Sequence, residues 1–194
     1  SDAYGFAPAF RIGDKENTVT PTSFAEDTWE TIAKNTSSDV YKVGDTRQVL
    51  IDNKPLTVRI ANKSTPTECN NSNFSQTACG FVVEFVDIIE KRAMNSTNTH
   101  VGGWPATAMY KYLNGTYDKD TKKWNRTDTL FSKLPIDLQS VIADTTVVSG
   151  YGSNDSSNFT STDKMYLLST KEVWGYVSAL SEMDTATGST RQLD

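Results

Sequence analysis

Apolar side chains occur along the chain in short bursts, each bounded by Ser, Thr, Asn, Asp, Gly or Pro. Residues 4–12, YGFAPAFRI, read as a short apolar and aromatic strand. In SFAEDTWETIAK, Ala25, Trp29, Ile32 and Ala33 recur at helical intervals. Ser23 and Glu26 there have capping-box spacing, so a short helix is expected over about 24–34. Leu56, Val58 and Ile60 alternate with Thr57 and Arg59, as in a half-buried strand. With Gln48–Ile51 and the turn-rich tetrad Asp52-Asn53-Lys54-Pro55 they spell a hairpin. Phe81 to Ile89 is apolar apart from Glu84 and Asp87 and reads as a central strand. Pro105 suits the first turn of a helix, and Ala106, Met109, Tyr110 and Leu113 give it an apolar stripe that a core face explains.

A further helix is expected over 135–142, with Leu138, Val141 and Ile142 inward, and strands at 146–149 and 165–169. Residues 150–163 read as an exposed loop, and the last 14 residues as a loosely held polar tail. The expected fold class is α+β: a mainly antiparallel sheet with two or three short helices.

Composition places this fold in a wet environment. Ser and Thr number 45 and Asn 13, side chains that favour turns and edges by bonding to nearby backbone. Nine asparagines open an Asn-x-Ser/Thr triplet: Asn35, Asn62, Asn70, Asn73, Asn95, Asn114, Asn125, Asn154 and Asn158. They are either glycan acceptors or parts of a polar exterior, and in both cases are expected mostly in exposed loops. A net charge of -5 and a pI near 4.9 argue against nucleic acid as a partner. No stretch approaches the roughly 18 apolar residues of a membrane span, so no membrane insertion is expected within these residues. Cys69 and Cys79 flank a short polar stretch, and export would join them in a disulfide; two free thiols are the alternative.

Candidate chemistry is sparse. The sole histidine, His100, limits acid–base and zinc chemistry. Neither a phosphate-binding glycine loop nor a serine nucleophile elbow is present. Glu84 and Asp87 read as strand-end or solvent-facing charges, and no catalytic residue is expected. No cofactor is expected either. Calcium is the ion that the oxygen-rich loops around Asp118, Asp120 and Asp128, and around Asn154, Asp155 and Asp163, would suit best, although no twelve-residue calcium loop occurs. For ligand contact the candidates are Trp124, in the polar stretch TKKWNRTD, Tyr151 between two glycines, and the neighbouring Asn154 and Asp155. Trp104 and Trp174 are assigned to packing.

Five stretches carry a resemblance: VGDTRQVLIDNKPLTVRI, FVVEFVDII, MNSTNTHVGGWPATAMYKYLN, LPIDLQSVI and STDKMYLLSTKEVWG. In this order they resemble an uncharacterised domain family of secreted and cell-surface proteins from gut Firmicutes and their phages. The resemblance covers about Tyr41 to Gly175 and implies an arrangement similar to C-type lectins or formylglycine-generating enzymes. Gly5 to Phe10 looks like that family's closing strand, displaced to the amino end. The implied organisation is a closing strand at 1–12, a linker with a short helix at 13–40, a main α+β domain at 41–180 and a polar tail at 181–194. The implied function is non-enzymatic binding or adhesion, recognising a glycan or a host or cell-surface protein, in a secreted or cell-surface setting. The alternatives are a spacer completed by strand pairing with a neighbouring repeat, and an enzyme on a related fold.

Overall fold

The computed structural model describes residues 2–16, 19–151, 154–175 and 189–194. The elements in chain order are β1 (Tyr4–Phe6), β2 (Ala9–Arg11), α1 (Trp29–Ala33), β3 (Thr46–Ile51), β4 (Lys54–Asn62), β5 (Val82–Phe85) and β6 (Glu90–Arg92). There follow α2 (Gly103–Ala106), α3 (Ala108–Asn114), β7 (Thr116–Asp118), β8 (Lys123–Asn125), α4 (Leu130–Lys133), α5 (Ile136–Gln139), β9 (Thr145–Ser149), β10 (Phe159–Asp163) and α6 (Thr170–Trp174). The fold is α+β, every strand pairing is antiparallel, and among the described residues only α3 reaches seven residues.

A four-stranded sheet in the order β2-β5-β4-β3 forms the centre. Asp52 and Asn53 turn the β3–β4 hairpin with φ of 50° and 63°, the paired left-handed geometry of a tight hairpin turn. That turn sets the register Val49↔Leu56, which puts Val49, Ile51, Val58 and Ile60 on one buried face. Val83 and Phe85 on β5 and Phe10 on β2 extend this face. Phe24, Trp29 and Tyr41 close over it in edge-to-face contacts, with Phe24 centred 5.8 Å from Trp29 and 6.4 Å from Tyr41. Arg47 emerges on the same face, its guanidinium 4.3 Å from the Trp29 ring, and donates to the carbonyls of Phe24 and Asp27. Within residues 13–40, Phe24, Trp29, Ile32 and Ala33 belong to the same core cluster as the sheet.

The amino-terminal strand pairs within its own chain. β1 lies against β6 and β2 against β5, while Ala9 exchanges both backbone bonds with Tyr166. Both edges of β2 are thus occupied, and β5 is interior, as the apolar run 81–89 predicted.

Several boundaries move for local reasons. The first helix starts at Trp29, because the Thr28 hydroxyl accepts from Thr31 N–H; Ser23 caps only a preceding turn at Glu26. The helix expected at 105–113 is two helices, because Thr107 takes extended angles and its side chain caps α3. Residues 159–163 form β10, correcting the loop expected there. The strand expected at 165–169 reduces to the single bridge at Tyr166. Of the polar tail, residues 181–188 lie outside the described ones, whereas 189–194 are bound to the body. Asp194 accepts from the backbone N–H groups of Lys63 and Ser64, both at 2.7 Å, and Arg191 donates to Asn62 and to the Ala78 carbonyl.

Three of the nine Asn-x-Ser/Thr asparagines are buried, contrary to the exterior expected of them. Asn35, Asn62 and Asn114 spend their amides on backbone: Asn114 Nδ2 donates to the carbonyls of Met165 and Tyr110, while its Oδ1 accepts from Lys164 and Met165 N–H.

Candidate functional site

The cysteines form the disulfide Cys69–Cys79, which closes a loop carrying buried Phe74. From that loop Ser75 and Thr77 project toward β9 and α6, and with them begins a cleft of about 210 Å³. Met94, Trp104, Val147 and Leu167 provide apolar wall, and Ser75, Thr77, Ser149, Ser169, Glu172 and Thr190 are the polar residues of the lining. An apolar cavity with a few convergent polar groups is the usual form of a small-ligand site.

A chain of hydrogen bonds fixes the polar side. Val148 N–H donates to Ser75 Oγ, which lies 3.0 Å from Thr77 Oγ1. The Thr77 hydroxyl donates to Glu172 Oε1, which also accepts from Thr190 Oγ1 at 2.9 Å. Glu172 Oε2 accepts from Ser169 N–H at 2.6 Å, and Ser169 Oγ accepts in turn from Glu172 N–H. This reciprocal pair is a capping box, so the same carboxylate starts α6 and lines the cleft. Tyr166, fully buried nearby, donates to the Thr77 carbonyl. Burial pushes its phenol well above the ordinary range, and the carboxylates of Glu172 and Asp163 add to the push.

Trp104 forms the facing wall. Gly102 and Gly103 take φ of 80° and 57°, and a Cβ on Gly103 would stand 2.3 Å from the Phe159 ring, so the double glycine lets α2 sit directly on β10. The indole packs edge-on against Tyr110 at 5.7 Å, and its Nε1 donates to Asp163 Oδ2 at 2.7 Å. Asp163 is completely buried. Burial raises its carboxyl to about 7, against the lowering influence of Ser161, Trp104 and Arg126. Its Oδ1, together with the hydroxyls of Thr145, Ser149 and Ser161, is buried without a hydrogen-bond partner among the described residues. All four belong to the face of the β9–β10 hairpin that also carries Val147, since Thr145 pairs with Asp163 and Val147 with Ser161.

The ligand candidates named from sequence divide between two places. Gly150 lines the cleft, and Tyr151, half-buried, follows it in the chain. Asp155 accepts from Gly102 N–H at 3.2 Å, tying the loop that carries exposed Asn154 to the base of α2 beside Trp104. Trp124 does not line this cleft. It sits on β8, half-buried, with its ring 5.4 Å from Tyr117 across the hairpin and the Arg126 guanidinium 4.2 Å away. Trp104, assigned to packing from sequence, both packs and walls the cleft. Trp174, assigned likewise to the core, is 63% exposed instead, because α6 turns its Glu172 side inward.

Sequence reasoning passed over Glu172, and took Asp163 only as part of an oxygen-rich loop, not as the buried acceptor of the Trp104 indole. The spacing Ser169-x-x-Glu172 was a usable capping-box signal for the first, and the alternation Phe159, Ser161, Asp163 for the second.

His100 lies exposed in the turn before α2, and Glu84 is paired with Arg59 at 2.7 Å. Asp118 accepts from the N–H groups of Asp120 and Thr121, a local turn. Among the described residues no group of three or more His, Cys, Asp or Glu could hold a metal ion, and no helix is long and apolar enough to cross a membrane.

Fold and site together define a loop-rich α+β domain with a disulfide-bordered cleft. The chain belongs to the family of the domain of unknown function DUF6273, which it matches over residues 82–192. That match starts at the first residue of β5, so the sheet partners β2, β3 and β4 lie outside it although they share its core. No curated protein and no solved structure matches the chain.

Proposed function

We propose that this domain is a non-enzymatic binding module of a secreted or cell-surface protein, which takes a glycan or a protein side chain into the cleft beside Trp104. The observation that carries the reading is the cleft itself: an indole and aliphatic wall facing hydroxyl groups that are already held in place. A sugar ring presents the matching surfaces, apolar C–H faces and a hydroxyl rim. The loop of Tyr151, Asn154 and Asp155 would extend the contact at the rim, because Asp155 anchors it to α2. The Cys69–Cys79 disulfide supports an oxidising, extracellular setting. A loop-rich arrangement similar to C-type lectins fits the same reading.

The test is binding on an array of glycans and host-surface proteins, comparing the native domain with Met94→Lys, which places a long charged side chain in the cleft from a residue 43% exposed. Binding that the substitution removes, in a domain with unchanged circular dichroism, is the expected result. Absence of binding by the folded native domain, or binding indifferent to Met94→Lys, would overturn it.

A further inference from the structure

The central sheet has two edges, and the chain treats them differently. At β2 the outer edge is occupied, because Ala9 bonds Tyr166 in both directions. At β3 it is open. Ile60 N–H donates to the Asp45 carbonyl, and the regular register from there commits the backbone of Arg47, Val49 and Ile51 to β4. The N–H and C=O groups of Thr46, Gln48 and Leu50 therefore point away from β4, and none of them is bonded by another described residue. All three residues are exposed, Leu50 by 53%. Sheets commonly protect such an edge with lysine, proline or a bulge. β3 contains no lysine or proline, and its ladder with β4 runs without a register shift. Its one charged side chain, Arg47, turns to the buried face against Trp29.

We infer that β3 is a self-association edge, which pairs antiparallel with β3 of a second copy about a two-fold axis at Gln48. Backbone donors and acceptors in alternation along an edge are matched by another extended strand. A second β3 fits that demand in register. Gln48 meets Gln48 and Thr46 meets Leu50, so every outward N–H and C=O of one copy finds its complement in the other. The side chains that would face each other are neutral, so no like charges meet there although the chain carries a net charge of -5. None of β3 lines the cleft, so this surface is separate from it. A contact of one strand edge falls below about 1,200 Å², and the expected dimer is weak, with a Kd of roughly 0.1–1 mM.

The test uses the whole domain and the exposed substitutions Gln48→Lys and Gln48→Glu, with circular dichroism to check that each variant is folded. Sedimentation and assigned amide shifts are followed up to a concentration of about 1 mM. The native domain is expected to dimerise over this range, with shifts concentrated at Thr46, Gln48 and Leu50. Each variant alone sets like charges across the axis and should associate less than the native domain. An equimolar mixture opposes Lys to Glu and should associate roughly fivefold more tightly than either variant alone. A native domain that stays monomeric throughout, with those amides unmoved, would overturn the proposal. Association indifferent to both substitutions, or a mixture no tighter than its components, would take the contact away from Gln48 and overturn it as well. Capture of an unrelated extended peptide at these amides, by a domain that does not pair with itself, would overturn the second copy as the occupant.

Discussion

Trp104 Nε1 donates to Asp163 Oδ2 at 2.7 Å, and the other oxygen of the same buried carboxyl group meets no partner among the described residues. This pairing joins α2 to β10 and sets the indole as one wall of the cleft. A buried carboxyl with one unsatisfied oxygen binds its proton unusually well, because ionisation would strand charge in a low-dielectric interior.

The consequence for stability has a definite sign. The Asp163 carboxyl lies at about 7 in the folded chain, against an ordinary value of 3.8. An acid that holds its proton more tightly when folded stabilises the fold most below its ordinary value. That contribution falls away as pH rises from about 4 through about 7. Asp163→Asn keeps an acceptor for Trp104 and cannot ionise. Denaturant unfolding at pH 5 and pH 8 should show the native domain losing on the order of 2–4 kcal/mol of this contribution, and the variant keeping it. Equal pH slopes in the two proteins would contradict the assignment.

The disulfide carries a separate prediction. Cys69 and Cys79 are 10 residues apart, so their bond restricts a short loop of the unfolded chain and stabilises by about 2–3 kcal/mol on the chain-entropy account. The double substitution Cys69→Ser, Cys79→Ser should lower the unfolding free energy by that amount. Hydrogen exchange should quicken first at Ser75 and Thr77, the two cleft residues on this loop.

Gly103→Ala tests the seat of α2. The added methyl would meet the Phe159 ring in a backbone conformation that side chains avoid, with φ of 57°. A loss of about 1–3 kcal/mol is expected in denaturant unfolding, with a shifted Trp104 indole resonance. An unperturbed indole would show that α2 does not depend on this close approach.

Burial also sorts the Asn-x-Ser/Thr triplets. In a host that glycosylates asparagine, mass spectrometry should find glycans confined to exposed positions such as Asn70, Asn73, Asn125 and Asn154. Asn35, Asn62 and Asn114 should be bare, because each amide is enclosed and hydrogen-bonded to backbone. Asn114→Ala, which frees two carbonyls and two N–H groups, should cost roughly 3 kcal/mol or more.

These features were unevenly legible in the sequence. The β3–β4 hairpin was readable because Leu56, Val58 and Ile60 alternate cleanly and Asp52-Asn53 supplies the turn. β10 was not, since its buried positions are Ser161 and Asp163 and polarity there runs opposite to burial. Thr107 concealed the break between α2 and α3, because the apolar stripe continues across it. Trp124 looked exposed from its polar neighbours, yet Tyr117 across the hairpin and Arg126 beyond it cover part of the ring. The cleft assembles Ser75, Trp104, Ser149 and Glu172 from four distant segments, a juxtaposition that local pattern does not encode.

The central claim, that the partner is met in the cleft beside Trp104, is tested most directly by amide and indole shift mapping with a ligand selected on the array. Perturbations should concentrate at Trp104, Thr77, Val148 and Ser149. Perturbations centred on Tyr117 and Trp124, with the Trp104 indole unmoved, would contradict it.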